Sequence, residues 1–505
     1  MMKVDADEKM SLFRSRLAKE FDDRTARFHT SVVEDLRIFA DDVNCTVAHD
    51  IMLHEQGVIP LRELKLILGA LEAIRQQWRK GEAVVGPEFE DIHEYIETKV
   101  IERIGIEAGG MMHTGRSRND QVVTDIRLRL RDELLTIDGE VLDLVEALQA
   151  RAAENAETLM ILYTHGQHAQ VGTMGAYLSS YADAFMRDNE RLTECYGRVN
   201  MNPLGAGPVG GTSIPVDRNR TTELLGFDSI AENSIDATSG RDWAVEAAAA
   251  CAILMGNLSR VAADLLEWSA VEYGYVELAD EYSSSSSIMP QKKNPSTLEL
   301  LRGKSGESYG ALIELMTMVK GVPSGYHQDL QQTKLALWRA LDVVETSLDV
   351  MTGIVKTMKV RPERLMRQVE GSFTMAVEVA EALAQDAGLS FREAYKVTAD
   401  LVTKTVDRGA TLGELKPGDF EASAERLFKK KVTVTQDWID RTTDPKQSLM
   451  RRKSIGSPHP DEVRRMVREH GAALKKARAE LATRRRRVES AMKALSRTAE
   501  GYLKK

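Results

Sequence analysis

Apolar residues recur along this chain with the spacing of a helix face. From Val123 they fall at Val123, Ile126, Leu130, Leu134, Ile137, Val141, Val145 and Leu148, steps of three and four held for about seven turns. Asn119 or Asp120 stands where such a helix needs its amino-terminal cap. The same period predicts long helices over roughly 167–198, 241–273, 296–319 and 328–358. Five helices of comparable reach can bury one another side by side, so the pattern predicts a mainly α fold around a central bundle. Alternating β-branched runs bounded by turns are scarce, and no proline falls between Pro87 and Pro203. Beyond Gly371, the stretches 376–385 and 391–408 read as shorter helices, and the break at 456–460 precedes one last Arg/Lys-rich helix. The expected units are 1–115, a helical domain carrying part of the site; 116–370, the bundle; and 371–505, a helical domain with a basic tail.

Composition narrows the class. At 43% apolar and 29% charged over 505 residues, the chain is neither disordered nor fibrous. Cys45, Cys195 and Cys251 have no paired spacing, which points to a reducing compartment, the cytoplasm. The opening MMKVDADEKMSLF lacks an apolar run of signal-peptide length, and the most apolar run, 247–256, is about half a membrane span. Net charge is −9, unevenly spread: residues 451–505 hold 17 Lys+Arg against 6 Asp+Glu. In that tail Val467, Leu474, Leu481, Val488 and Leu495 recur every seventh residue, a stripe suited to docking on the acidic body rather than on nucleic acid or a membrane.

Several polar segments interrupt the helices. Ser283 to Ser287 followed by Ile288-Met289-Pro290-Gln291-Lys292-Lys293-Asn294-Pro295 reads as a flexible loop running into a Pro-bracketed segment with two ammonium groups and an amide, which suit carboxylates. A serine beside a lysine in a closed loop can lose its proton, because the ammonium and backbone amides favour the alkoxide; a plain linker is the other reading. His113-Thr114-Gly115-Arg116-Ser117-Arg118-Asn119-Asp120-Gln121 opens the long helix, where anions are attracted; an ordinary capped turn would look the same. Thr164-His165-Gly166-Gln167-His168 is expected to begin a helix. His165 and His168 lack a spaced carboxylate or cysteine partner, so no metal is expected there.

Taken together, Ser286 to Asn294 (the Ser-Ser-x-Met-Pro-x-Lys-x-Asn loop), the segment 113–121 and Asn233-Ser234-Ile235-Asp236-Ala237-Thr238-Ser239 resemble the aspartase/fumarase superfamily, and within it the argininosuccinate lyases, from about Phe28 to Pro460. The resemblance implies a helical homotetramer with shared sites and no cofactor, cleaving argininosuccinate to arginine and fumarate. It implies Ser286 as general base, His165 as general acid with Glu299 orienting its imidazole, and Lys292 stabilising the carbanion. It further implies substrate contacts from Ser31, Arg118, Asn119, Thr164, Asn294, Tyr326, Gln331 and Lys334. Ser285 stands where the family commonly has glycine. A non-catalytic structural protein on the same fold, or a lyase acting on a related fumarate-yielding substrate, are the other readings.

Overall fold

The computed structural model describes residues 21–505; the opening dozen residues and the start of the first expected unit lie outside the described residues. Helix accounts for 71% of the structure, so the chain is mainly α. The amino-terminal helices that bear on the site are α1 (Phe39–Glu55), α2 (Leu61–Arg79) and α3 (Ile92–Ile104). Next comes α4 (Arg118–Glu154), whose cap is Ser117 rather than Asn119 or Asp120. The Ser117 side chain accepts from Asn119 N, and Asp120 returns a bond to the Ser117 backbone, a capping box that satisfies two orphan donors.

The structure departs from the expected helix over 167–198 at its start. Residues 159–173 form a hairpin of β1 (Leu159–Thr164) and β2 (Gln167–Thr173), and only then does α5 (Met174–Val199) begin, capped by Thr173. The two-residue turn is His165-Gly166, both with positive φ, 54° and 69°. That geometry matches the right-handed twist of paired strands, and glycine at the second position makes it accessible. Histidine at the first position hides the signal, because asparagine or glycine usually marks such turns. His165 therefore sits at a hairpin tip, not at a helix amino terminus.

The bundle continues with α6 (Asp242–Ser269), the short strand β3 (Val276–Glu277), a second small hairpin of β4 (Ser284–Ser285) and β5 (Lys293–Asn294), then α7 (Ser296–Val319), α8 (Thr333–Thr357) and the strand β6 (Lys359–Val360). Two of the five serines are thus in a strand, so the run is not wholly linker, and a 3₁₀ turn over 328–332 precedes α8. Helix α4 packs along α5 and α8, while α6 packs along α5, α7 and α8, giving one continuous apolar core. Helix α6 is long and apolar enough by composition to cross a membrane, and half of its most apolar stretch is buried within the bundle.

A separate core, including Val379, Leu383, Leu401, Phe420 and Ile439, holds the short helices after Gly371. The final helix α9 (Pro460–Lys504) does not share it. Leu474, Leu481, Val488 and Leu495 of the heptad stripe are buried in the main core, against α4, α5 and the helices α1 and α2. Helix α9 thus packs with the bundle rather than with the short helices after Gly371. The helix's cations meet the acidic body: Arg478 pairs with Asp143 and Glu146, and Arg487 with Asp228. Gly226 permits the approach twice over, through its positive φ and because a Cβ there would stand 2.6 Å from Ala491 Cβ.

Candidate active site

Six of the residues expected to touch substrate line one cavity of about 250 Å³: Ser31, Arg118, Asn119, Tyr326, Gln331 and Lys334. They come from three parts of the sequence: Ser31, the pair Arg118 and Asn119, and the stretch from Tyr326 to Lys334. Ser31 N donates to Glu90 O (2.8 Å) and Gln331 Nε2 donates to His29 O (2.8 Å), which ties the Ser31 turn to the loop before α3 and to the 3₁₀ turn before α8. At the floor, Ser31 Oγ donates to Asp35 Oδ2 (2.7 Å), and Lys334 Nζ donates to Ser31 Oγ (3.2 Å) and ion-pairs with Asp35. Lys334 and Asp35 are both buried, at 3% and 0% side-chain exposure. Burial pushes the Tyr326 hydroxyl up, against the pull of the nearby Lys334 ammonium.

On the opposite wall Arg118 pairs with Asp91, the residue that also caps α3 by accepting from Glu94 N (2.7 Å). Burial would raise the Asp91 carboxyl, but His93 and Arg118 outweigh it and hold it below the usual range. Asn119 Nδ2 donates to Pro208 O at 2.9 Å. The cavity is therefore amphoteric, each cation matched by a carboxylate. Asp35, Glu90, Asp91, His93, Val122 and Gln328 also line it and were not expected from sequence. The polar triplet Glu90-Asp91-His93 around a single apolar Ile92, opening a helix, is the signal that marks them.

Beneath this wall lies a buried polar cluster. Asp42, His93 and Asp125 bring possible ligand atoms within 4.8 Å of one another. His93 Nδ1 donates to Asp42 and stands 3.6 Å from Asp125. Burial draws the His93 pKa down, yet Asp42 and Asp91 overcome it and raise it. Burial, then the neighbouring Asp42 and Asp41, pushes the Asp125 carboxyl well above the usual range, while His93, against burial, holds Asp42 below it, so the His93 ring is paired chiefly with Asp42.

The remaining expected residues stand apart from this cavity within one chain. Thr164 and His165 are exposed at the tip of the first hairpin, and among the described residues neither makes a side-chain hydrogen bond or ion pair. Ser286, Lys292 and Asn294 belong to the second hairpin, whose register is Ser284↔Asn294 and Ser285↔Lys293. Ser286 Oγ accepts from Ile288 N (3.3 Å) and Met289 N (3.1 Å), donors that favour a negative oxygen. Asn294 Nδ2 reaches Ser284 Oγ at 3.5 Å. Glu299 is exposed in the first turn of α7, with no bond to His165 in the chain.

The sequence family described as "Lyase" matches residues 15–310, and that described as "Argininosuccinate lyase C-terminal" matches 373–448. The argininosuccinate lyase of Nitrosopumilus maritimus is 40% identical over 96% of this chain and 99% of its own length. That of Methanosarcina acetivorans is 39% identical over 98% and 99%. Among solved structures, a variant of EDDS lyase with bound fumarate superposes with a TM-score of 0.85 at 28% identity, covering 96% of this chain and 99% of that one. A class II fumarase from Schistosoma mansoni, at 16% identity and a TM-score of 0.69 over 84% of this chain and 94% of its own, shares the fold. The chain belongs to the argininosuccinate lyase family of the aspartase/fumarase superfamily.

Proposed function

We propose that this protein cleaves argininosuccinate to arginine and fumarate by elimination. Ser286, as alkoxide, takes the proton from the carbon next to a succinyl carboxylate. The electron pair left behind forms the new C=C bond as the C–N bond to the guanidino nitrogen breaks, and His165 delivers a proton to that nitrogen, with Glu299 orienting the imidazole. Lys292 and Asn294 meet the charge that builds on the carboxylate as the carbanion forms. Ser31, Arg118, Asn119, Thr164, Tyr326, Gln331 and Lys334 hold the substrate, whose three carboxylates and guanidinium match an amphoteric cavity. The observation that carries this reading is that cavity, assembled from residues far apart in sequence, together with a half-buried serine on a separate hairpin whose oxygen accepts two backbone amides.

The site is read as shared between copies of the chain in a homotetramer. Its support is that the hairpin with His165 and the hairpin with Ser286 are exposed and away from the cavity in one chain, while α7 leaves Leu300, Tyr309, Ile313 and Met316 exposed along its length. Three free, buried cysteines suit a reducing cytoplasm. The domain reading is a helical unit to residue 115, the bundle over 116–370 and a carboxy-terminal unit from 371, with α9 returning to the bundle. The test is release of arginine and fumarate in equal amounts from argininosuccinate by purified protein; fumarate from another substrate alone would move the assignment elsewhere in the superfamily.

A further inference from the structure

We propose that Lys293, held by Glu277 and Asp280, is a positioning residue that decides which face of the β4–β5 hairpin carries the chemistry. The proposal rests on the reading of Ser286, Lys292 and Asn294 as site residues.

Side chains alternate between the two faces of a strand, and directly opposed residues of a pair share a face. With Ser284 opposite Asn294 and Ser285 opposite Lys293, continuation of the register places Ser286 opposite Lys292. Ser284, Ser286, Lys292 and Asn294 therefore lie on one face, in keeping with the contact between Asn294 and Ser284. Ser285 and Lys293 lie on the other. That second face is the one that meets the scaffold: Lys293 Nζ is 2.7 Å from Asp280 Oδ1 and 3.4 Å from Glu277 Oε1. Glu277 is itself fixed, since its backbone pairs with Lys359 in the β3–β6 ladder and its other carboxylate oxygen is clamped by Arg361.

The tether matters because the hairpin is short and its sequence is ambiguous. Two paired rungs are marginal on their own, so side-chain anchoring sets the orientation. Lys292 and Lys293 are neighbours, and a slip of one residue would exchange them between faces, withdrawing Lys292 from the site. A cavity of about 280 Å³, lined by Val276, Glu277, Ser283, Lys293, Pro295 and Arg361 among others, leaves the hairpin room to roll once the anchor is lost. An exposed ion pair is weak in isolation, but here it competes only with a hairpin of comparable weakness.

The experiment compares full-length K293M, E277Q, K293R and the K293M/E277Q double variant on argininosuccinate. K293M is expected to lower kcat about tenfold to a hundredfold with KM within about twofold, the scale of a small misplacement of reacting groups. E277Q falls in the same direction, the double variant is no slower than K293M, and K293R recovers most of the rate. Wild-type kcat in K293M or E277Q, additive losses in the double variant, or no recovery in K293R would overturn the tether. A second readout does not depend on turnover: trypsin should cut E277Q after Lys292 or Lys293 several-fold faster than the wild type under native conditions, and equal rates would also overturn it. Wild-type protein inert towards argininosuccinate would sink the functional reading, and the trypsin comparison would still decide the tether.

Discussion

Ser285 and Lys293 form the last paired rung of the second hairpin, and Ser286 and Lys292 are the residues that follow and precede them on the turn side. On the proposed reading, strand pairing in this hairpin brings together a base and a cation that stand six residues apart in sequence. Two backbone amides already point at Ser286 Oγ. Ser286→Ala is therefore expected to lower kcat by about a hundred- to ten-thousand-fold. Ser284→Ala, two residues earlier in the same hairpin, should stay within a few-fold of wild type. Steady-state rates of both variants, with circular dichroism to verify folding, provide the check; equal mild losses would make the serine run a hinge only.

The buried pair at the cavity floor leads to a stability prediction. Removing one partner of a fully buried ion pair leaves an uncompensated charge, at a cost of about 3–5 kcal/mol. Lys334→Met should lower the unfolding free energy from urea titration by that scale, because Asp35, at 0% side-chain exposure, then keeps only the Ser31 hydroxyl as a side-chain hydrogen-bond partner. Lys334→Met combined with Asp35→Leu should recover much of the loss in stability while leaving the enzyme unable to hold substrate. A single variant as stable as wild type would show that water reaches the pair.

His113 gives a pH prediction with a definite sign. Burial, then the Arg116 and Arg118 guanidinium groups, pushes its pKa down to about 3. The unfolded chain, with histidine near 6.5, binds the proton first. Stability from this group is therefore complete above about pH 6.5 and is lost progressively as pH falls towards 3. Between pH 7 and pH 5 the wild type should lose about 1–2 kcal/mol more than His113→Asn. Denaturant unfolding at the two pH values measures it, and parallel losses in both proteins would refute it.

Site sharing can be read by complementation. His165→Asn and Ser286→Ala proteins should each be inactive, and a mixture allowed to exchange subunits should regain part of the wild-type rate. The regained rate comes from sites that draw both intact residues from different chains. Verified exchange without recovery would mean that each site is built by a single chain.

The five long helices were legible because their burial imposes a strict three-four spacing, as the line from Val123 to Leu148 shows; all eight of those residues are buried. The docked tail was legible for the same reason, through Leu474, Leu481, Val488 and Leu495. The hairpin at His165 was not, because a two-residue turn leaves no periodic trace and its first position is not the usual residue. The cavity residues Asp35, Asp91 and His93 escaped notice since their roles depend on partners about 30 to 300 positions away, such as Arg118 for Asp91 and Lys334 for Asp35. Spacing along one helix carries no record of such pairs.

The most direct measurement is the initial rate of fumarate formation, with arginine quantified in parallel, when purified protein is given argininosuccinate or, separately, EDDS. The account predicts one arginine for each fumarate from argininosuccinate, a rate well above that with EDDS, and loss of both products in Ser286→Ala. A folded wild-type protein that releases no fumarate from argininosuccinate, or that releases it from EDDS alone, would contradict it.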